Sequence, residues 1–99
     1  MNVVHRLNGI TFIWDSKKAL VNLRKHGVAL ELACEVFFDP FVCLLRADAI
    51  GGEEREVVVG MTQGWQLLVV VYTFRADCIR LISVRHATSP ERRAYDDGP

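Results

Sequence analysis

The feature that most constrains this chain is the run Leu67-Leu68-Val69-Val70-Val71-Tyr72, an apolar stretch with no polar alternation. A strand with one wet face alternates apolar and polar side chains. An uninterrupted run of strand length therefore predicts a central strand covered on both faces. A chain of 99 residues has room for one domain, so the covering layers must come from the segments that flank this strand.

Those segments are well punctuated. Ile10 to Trp14 is short and β-prone, a first strand. Asp15 reads as an N-cap, its carboxylate placed to accept amide hydrogens of the turn that follows. Ala19, Leu20 and Leu23 form an apolar stripe, while Lys18, Asn22 and Lys25 line up on another face. Arg24-Lys25-His26 suits the negative pole of a helix end, and Gly27 suits its C′ position. Leu30 to Phe38 has helical spacing at Leu32, Ala33, Val36 and Phe37, and Asp39-Pro40 ends it. Strands are expected over Phe41–Leu45, Arg55–Gly60, Gln66–Phe74 and Cys78–Arg85, joined by hairpin turns. Ser89-Pro90-Glu91 starts a short helix with Pro90 at its first position and either Thr88 or Ser89 as cap.

The expected fold is α+β: a short first strand, two N-terminal helices packed on a four-stranded antiparallel sheet, and a short C-terminal helix. Residues 10–97 form the domain, and residues 1–9 read as an N-terminal extension with a turn at Asn8-Gly9.

Composition is that of an ordinary folded domain, 51% hydrophobic and 24% charged, which argues against disorder. No stretch approaches the roughly 20 apolar residues of a bilayer span, and Met1 to Arg6 does not read as a signal peptide. The expected compartment is the cytoplasm, with no membrane association. Cys34, Cys43 and Cys78 form no CxxC pair and read as reduced core residues rather than zinc ligands or a disulfide framework. No HExxH, P-loop, GxGxxG or Ser-His-Asp pattern is present, so neither a metal nor any other cofactor is expected.

The net charge of zero conceals segregation. Lys17, Lys18, Arg24 and Lys25 have no acid among them from Ser16 to Gly27. Glu31, Glu35, Asp39, Asp48, Glu53, Glu54 and Glu56 outnumber Arg46 and Arg55 in the middle segment. Arg75, Arg80, Arg85, Arg92 and Arg93 outnumber Asp77 and Glu91 near the end. Two basic segments can form one phosphate-binding face if the fold joins them. Otherwise they are solvated faces that neutralise the acidic middle.

The pattern Trp14-Asp15-x-x-Lys18-x-x-x-Asn22-x-x-Lys25-His26-Gly27-Val28 resembles the amino-terminal signature of the BrnT toxins. Glu54-Arg55 leading to Gly60, then Leu68-Val69-Val70-Val71-Tyr72-Thr73, agrees with that family. So does Ile79-Arg80-Leu81-Ile82-Ser83-Val84-Arg85-His86-Ala87-Thr88 followed by Glu91, Arg92 and Tyr95. The resemblance covers roughly residues 11–96. It implies a compact fold similar to the RelE ribonuclease toxins, RNA cleavage that arrests translation, and a BrnA-like antitoxin with a ribbon-helix-helix region. It also implies a toxin–antitoxin heterotetramer that reaches operator DNA only through the antitoxin. Three departures stand out: Ala29 replaces a polar helix cap, the segment before Ile10 is long, and the loop at Ala47–Gly52 is poor in aspartate.

Metal-independent RNA cleavage turns a ribose 2′-OH on the adjacent phosphate. It gains from a base, an acid and cations placed where charge develops. His26 suits general acid or base work because imidazole titrates near neutrality, and it equally suits capping the helix end. Lys25 is a phosphate contact rather than a base, since an ordinary lysine is protonated at pH 7. Arg80 and Arg85 are candidates for phosphorane stabilisation, or else ion-pair partners of Glu53, Glu54 or Glu56. An unbroken strand sends them to opposite faces, so only a bulge or an early strand end lets both serve one cleft. Glu54-Arg55 reads as a base–cation couple or an edge salt bridge. Lys18, Arg92 and Tyr95 are candidate RNA contacts, with His86 weaker. Tyr95 could instead pack its ring. Trp14 reads as core and Trp65 as a loop anchor, although either could stack on a base.

The resulting expectation is an antitoxin-neutralised endoribonuclease, with the antitoxin overlapping the cleft. The alternatives are a catalytically inactive binding module acting as antitoxin co-repressor, and a solitary nucleic-acid-binding domain.

Overall fold

The computed structural model describes residues 1–98. Its elements run β1 (Asn2–Leu7), β2 (Ile10–Asp15), α1 (Ser16–His26), α2 (Leu30–Val36), β3 (Cys43–Ile50), β4 (Glu53–Met61), β5 (Leu67–Arg75), β6 (Cys78–His86) and α3 (Ser89–Asp97). The strands form a single six-stranded sheet in the order β1-β2-β6-β5-β4-β3. All neighbours are antiparallel except β2 and β6, which run parallel through Phe12–Ile79 and Ile13–Arg80.

The α+β class and the two N-terminal helices followed by a C-terminal one agree with the sequence reading, but the sheet corrects it. Six strands replace four, and the sheet is mixed rather than antiparallel. The segment read as an extension supplies the edge strand β1. Asn8 and Gly9 close its hairpin with φ of 51° and 82°, the doubly left-handed geometry that matches strand twist. The first strand joins the sheet because Phe12 and Trp14 bury against its interior.

β5 is interior, as its uninterrupted hydrophobicity requires. Leu68, Val70 and Tyr72 join Phe12, Trp14, Leu30, Val36, Leu81 and Val84 in a core covered by the first two helices. Leu67 and Val69 face the other way, with Val57 and Val59, into a smaller core where Tyr95 of α3 packs. Gly60 lets α2 close on β4: a Cβ there would lie 2.6 Å from Val36 Cγ1 and 3.2 Å from Val36 O. Such a close approach tolerates only glycine.

The helix ends follow their local chemistry. Asp15 Oδ2 accepts from Lys18 N at 3.0 Å, and Gly27 takes φ 71° with its N–H donating to Leu23 O. Thr88, rather than Ser89, caps α3, in a reciprocal capping box with Glu91. α2 stops at Val36, two residues earlier than its periodicity suggests, and Ala29 provides no side-chain cap.

The face by which α1 docks was misjudged from sequence. Leu20 and Leu23 remain 48% and 44% exposed, and the buried residue of the helix is Asn22. After Ile13 the chain of β2 leaves β6 and enters α1, so β6 has a vacant edge beside Val84. Asn22 Nδ2 donates to Val84 O at 2.9 Å, and Val84 N donates to Asn22 Oδ1 at 3.1 Å. A buried strand edge needs its polar groups paired, and the side-chain amide does this as a neighbouring peptide would.

The cysteines are all reduced, but only Cys34 is a core residue. Cys43 and Cys78 are half-buried. Burial, with Glu31 and Glu35 nearby, raises the Cys34 thiol to about 12, which makes it inert as a nucleophile.

Candidate active site

β6 carries one more residue than β5 needs. Val71 pairs with Ser83 and Tyr72 with Leu81, leaving Ile82 as a bulge. Leu81 and Val84, three positions apart, therefore both face the larger core. Directly opposed residues of an antiparallel pair point to the same side, and Val69, Val71 and Thr73 alternate along β5. Their partners Arg85, Ser83 and Arg80 consequently share one face, the side away from the larger core. The extra residue resolves the parity conflict between Arg80 and Arg85.

Arg55 belongs to the same face, because it alternates with Val57 of the smaller core. Asp48 opposes Arg55 on β3, and Thr73 opposes Arg80, so polar side chains cross the sheet in one band. Arg55 Nε is buried without a hydrogen-bond partner, with Glu53 Oε2 at 3.5 Å. That distance is a charge contact rather than a hydrogen bond. Among the described residues, Arg80 Nη1 reaches only Asn2 Oδ1, at 3.5 Å. Both guanidinium groups thus retain donor capacity for an anion.

Along the edge of β6, α1 adds cations. Lys17, Lys18, Lys25 and His26 line a cleft of about 320 Å³ together with Ile82 and Ser83. The cleft is built by the Asn22–Val84 pairing, which sets the polar face of α1 against the bulge. Lys18 and Lys25 are exposed and His26 is half-buried.

Arg85 is committed elsewhere. Its guanidinium forms a fork with Glu91, at 2.7 and 2.8 Å, and also reaches His86 O at 3.3 Å. Arg85 holds the Glu91 carboxyl at about 2, against the opposing effect of burial and with help from Thr88. The fork ties the last strand to α3. None of Glu53, Glu54 and Glu56 pairs with Arg80 or Arg85. Glu53 binds Arg75 at 2.7 Å, and Glu56 accepts the hydroxyl of Tyr72.

The expected Glu54-Arg55 couple is not formed. Adjacent strand residues point to opposite faces, and the exposed Glu54 contributes its carbonyl, which accepts from Thr73 Oγ1 at 2.6 Å. Tyr95 packs its ring in the smaller core and donates to Asp39 Oδ2 at 2.6 Å. Burial and that carboxylate raise its hydroxyl to about 12. Arg92 is exposed on α3. Among the described residues, no three His, Cys, Asp or Glu side chains are grouped to share a metal ion.

The family model described as "Ribonuclease toxin, BrnT, of type II toxin-antitoxin system" matches residues 14–91. The chain belongs to this family. The fold agrees with a crystal structure of the Brucella abortus ribonuclease toxin, BrnT. The TM-score is 0.51 at 20% sequence identity, over 77% of this chain and 94% of that one. No curated protein matches the chain. The span matched to the BrnT model contains Lys18, Lys25, His26, Arg55, Arg80 and Arg85, and ends at Glu91, the partner of Arg85. β1, Arg92 and Tyr95 lie outside it. Sequence reasoning overlooked Asn22 and Thr73 as organising residues. For Asn22 a signal existed, since it stood between Lys18 and Lys25 on one helical face.

Proposed function

We propose that this chain is the toxin of a type II pair and cuts RNA without a metal. The reading is supported above all by the Ile82 bulge, which gathers Arg80, Ser83 and Arg85 on the face shared by Arg55. The cationic edge of α1 adjoins the bulge. In this mechanism the ribose 2′-oxygen attacks the neighbouring phosphorus and the P–O5′ bond breaks, leaving a 2′,3′-cyclic phosphate and a 5′-hydroxyl. Arg80 and Arg55 stabilise the charge that builds on the phosphorane, as forks suited to phosphate oxygens. Lys18 and Lys25 hold flanking phosphates, and His26 transfers the proton. Arg85 acts through Glu91 to hold α3, and Glu54 has no part in the chemistry.

The toxin acts in the cytoplasm and is neutralised by a BrnA-like ribbon-helix-helix antitoxin in a heterotetramer that represses its own operator. The deciding experiment incubates purified protein with RNA in excess chelator and maps the cut ends. A 2′,3′-cyclic phosphate is expected. Loss of cleavage in chelator, or 3′-hydroxyl ends, would overturn the mechanism. The engagement of Arg85 by Glu91 favours one second reading, a co-repressor without catalysis. Harmless expression of soluble, folded protein in the absence of antitoxin would select it.

A further inference from the structure

A concavity of about 720 Å³ shares no lining residue with the cationic cleft. It runs from the β1–β2 turn past α2 to the loop between β4 and β5, and Glu31, Glu35, Phe38, Phe41 and Trp65 are among its walls. Carboxylates line it and no lysine or arginine does, so it repels the phosphates that the other cleft attracts. Its carboxylates differ in their commitments. Asp39 is filled by donors from Phe41 N, Met61 N and the Tyr95 hydroxyl. Glu35 gives one oxygen to Gln63 N. Neither Glu31 nor Glu35 has an ion-pair partner among the described residues, although they are one helical turn apart on α2, where like charges repel.

Trp65 is 84% exposed, and Phe41 beside the same groove is 69% exposed. The loop folds as a tight turn, with Trp65 N donating to Thr62 O and Thr62 N to Gln66 O. The residue that closes such a turn in the left-handed region is ordinarily glycine. Here Gly64 stands one position too early, and Trp65 takes φ 63°. A bulky residue in that conformation costs on the order of 1–3 kcal/mol, and this indole returns almost none of it by burial. The sequence expectation of a loop anchor is therefore reversed, since the side chain is held outward.

We infer that this groove is an anchoring site for the antitoxin, taking an extended segment that carries an arginine or lysine between apolar residues. The cation would lie over the Trp65 or Phe41 ring and face Glu31 and Glu35, the combination that makes aromatic anchors dominate interfaces. The inference rests on the type II reading, which requires an antitoxin. It separates where the antitoxin is held from where RNA is cut. A segment docked only in this groove binds without inhibiting, and inhibition needs a further part that reaches the α1–β6 cleft.

The test titrates the ribbon-helix-helix antitoxin that the type II reading assigns to this toxin against wild type, Trp65→Ala, Glu31→Lys and Phe74→Ser. Phe74 is an exposed aromatic outside the groove. Trp65→Ala and Glu31→Lys should each weaken binding about tenfold or more, with RNA cleavage by free Trp65→Ala unchanged and Phe74→Ser binding within twofold of wild type. Wild-type affinity in both groove variants overturns the groove assignment and leaves the type II reading intact. Failure of the wild type to bind overturns both. Quenching of Trp65 fluorescence by an RNA oligonucleotide, with no effect of Trp65→Ala on antitoxin affinity, would show a base-stacking site and also overturn the assignment.

Discussion

Asn22 and Val84 hydrogen-bond as residues of two adjacent strands would, although one lies in a helix and the pairing runs through a side-chain amide, at 2.9 and 3.1 Å. The same Nδ2 also reaches Val28 O at 3.1 Å, so a single buried amide satisfies the strand edge and the residue after the helix turn. Asn22→Ala should destabilise the protein by about 2–4 kcal/mol, because it orphans several buried backbone groups at once. Asn22→Asp should be as damaging at neutral pH, where a carboxylate would face the Val84 carbonyl. Urea unfolding of both variants checks this, and Asn22→Asp should recover stability as the pH is lowered.

The arginines should divide by role. Arg80→Ala and Arg55→Ala should each lower kcat about 10²–10³-fold, as expected for loss of one preorganised donor at developing charge. The Arg80 variant should change the melting temperature little, given its long contact with Asn2. Arg85→Ala should behave oppositely, with lowered stability and a smaller direct effect on turnover, because it strands Glu91. Single-turnover cleavage and thermal melts on the same preparations separate the two patterns.

The Arg85–Glu91 fork also sets an acid limit. Glu91 titrates at about 2 when folded, against an ordinary 4.5. Its contribution is therefore complete above about pH 4.5 and is lost as the pH falls through the folded value. With Arg85 a third exposed, the contribution is discounted to about 1–3 kcal/mol. Unfolding free energies at pH 7, 4 and 3 should decline less steeply in Glu91→Gln than in wild type.

Gly60→Ala should cost about 1–3 kcal/mol through overpacking against Val36, since part of what the new Cβ meets is backbone that cannot swing away. Combining it with Val36→Ala removes the 2.6 Å clash with Cγ1 and should fall short of additivity. A double-mutant cycle in urea measures the coupling.

Much of the fold was written in local chemistry. The Asp15 cap, the Gly27 terminator, the Asn8-Gly9 turn and the unbroken hydrophobicity of β5 each act over a few residues and were legible. The parallel pairing of β2 with β6 was not, because it joins segments more than sixty residues apart through two residue pairs. The outward turn of Leu20 and Leu23 was hidden for a related reason. Periodicity ranks helix faces by hydrophobicity, while α1 is held by a polar group that meets a vacant strand edge. The site was half legible: residue types marked the cations, but their partners depended on tertiary placement. Arg85 found Glu91 on a helix rather than an acid on a neighbouring strand, and Trp65 points outward because one glycine stands a position early.

The bulge at Ile82 makes this surface sensitive to length rather than only to identity. Side chains on a regular strand follow an odd-even rule, so residues five apart lie on opposite sides. One surplus residue converts that spacing into same-side placement. A homologue with a flat final strand would need its two arginines four or six positions apart to build the same surface. Deleting one residue between Arg80 and Arg85 in a homologue can therefore preserve their common side if the bulge disappears with it, and a conventional alignment would record that functional equivalence as a gap.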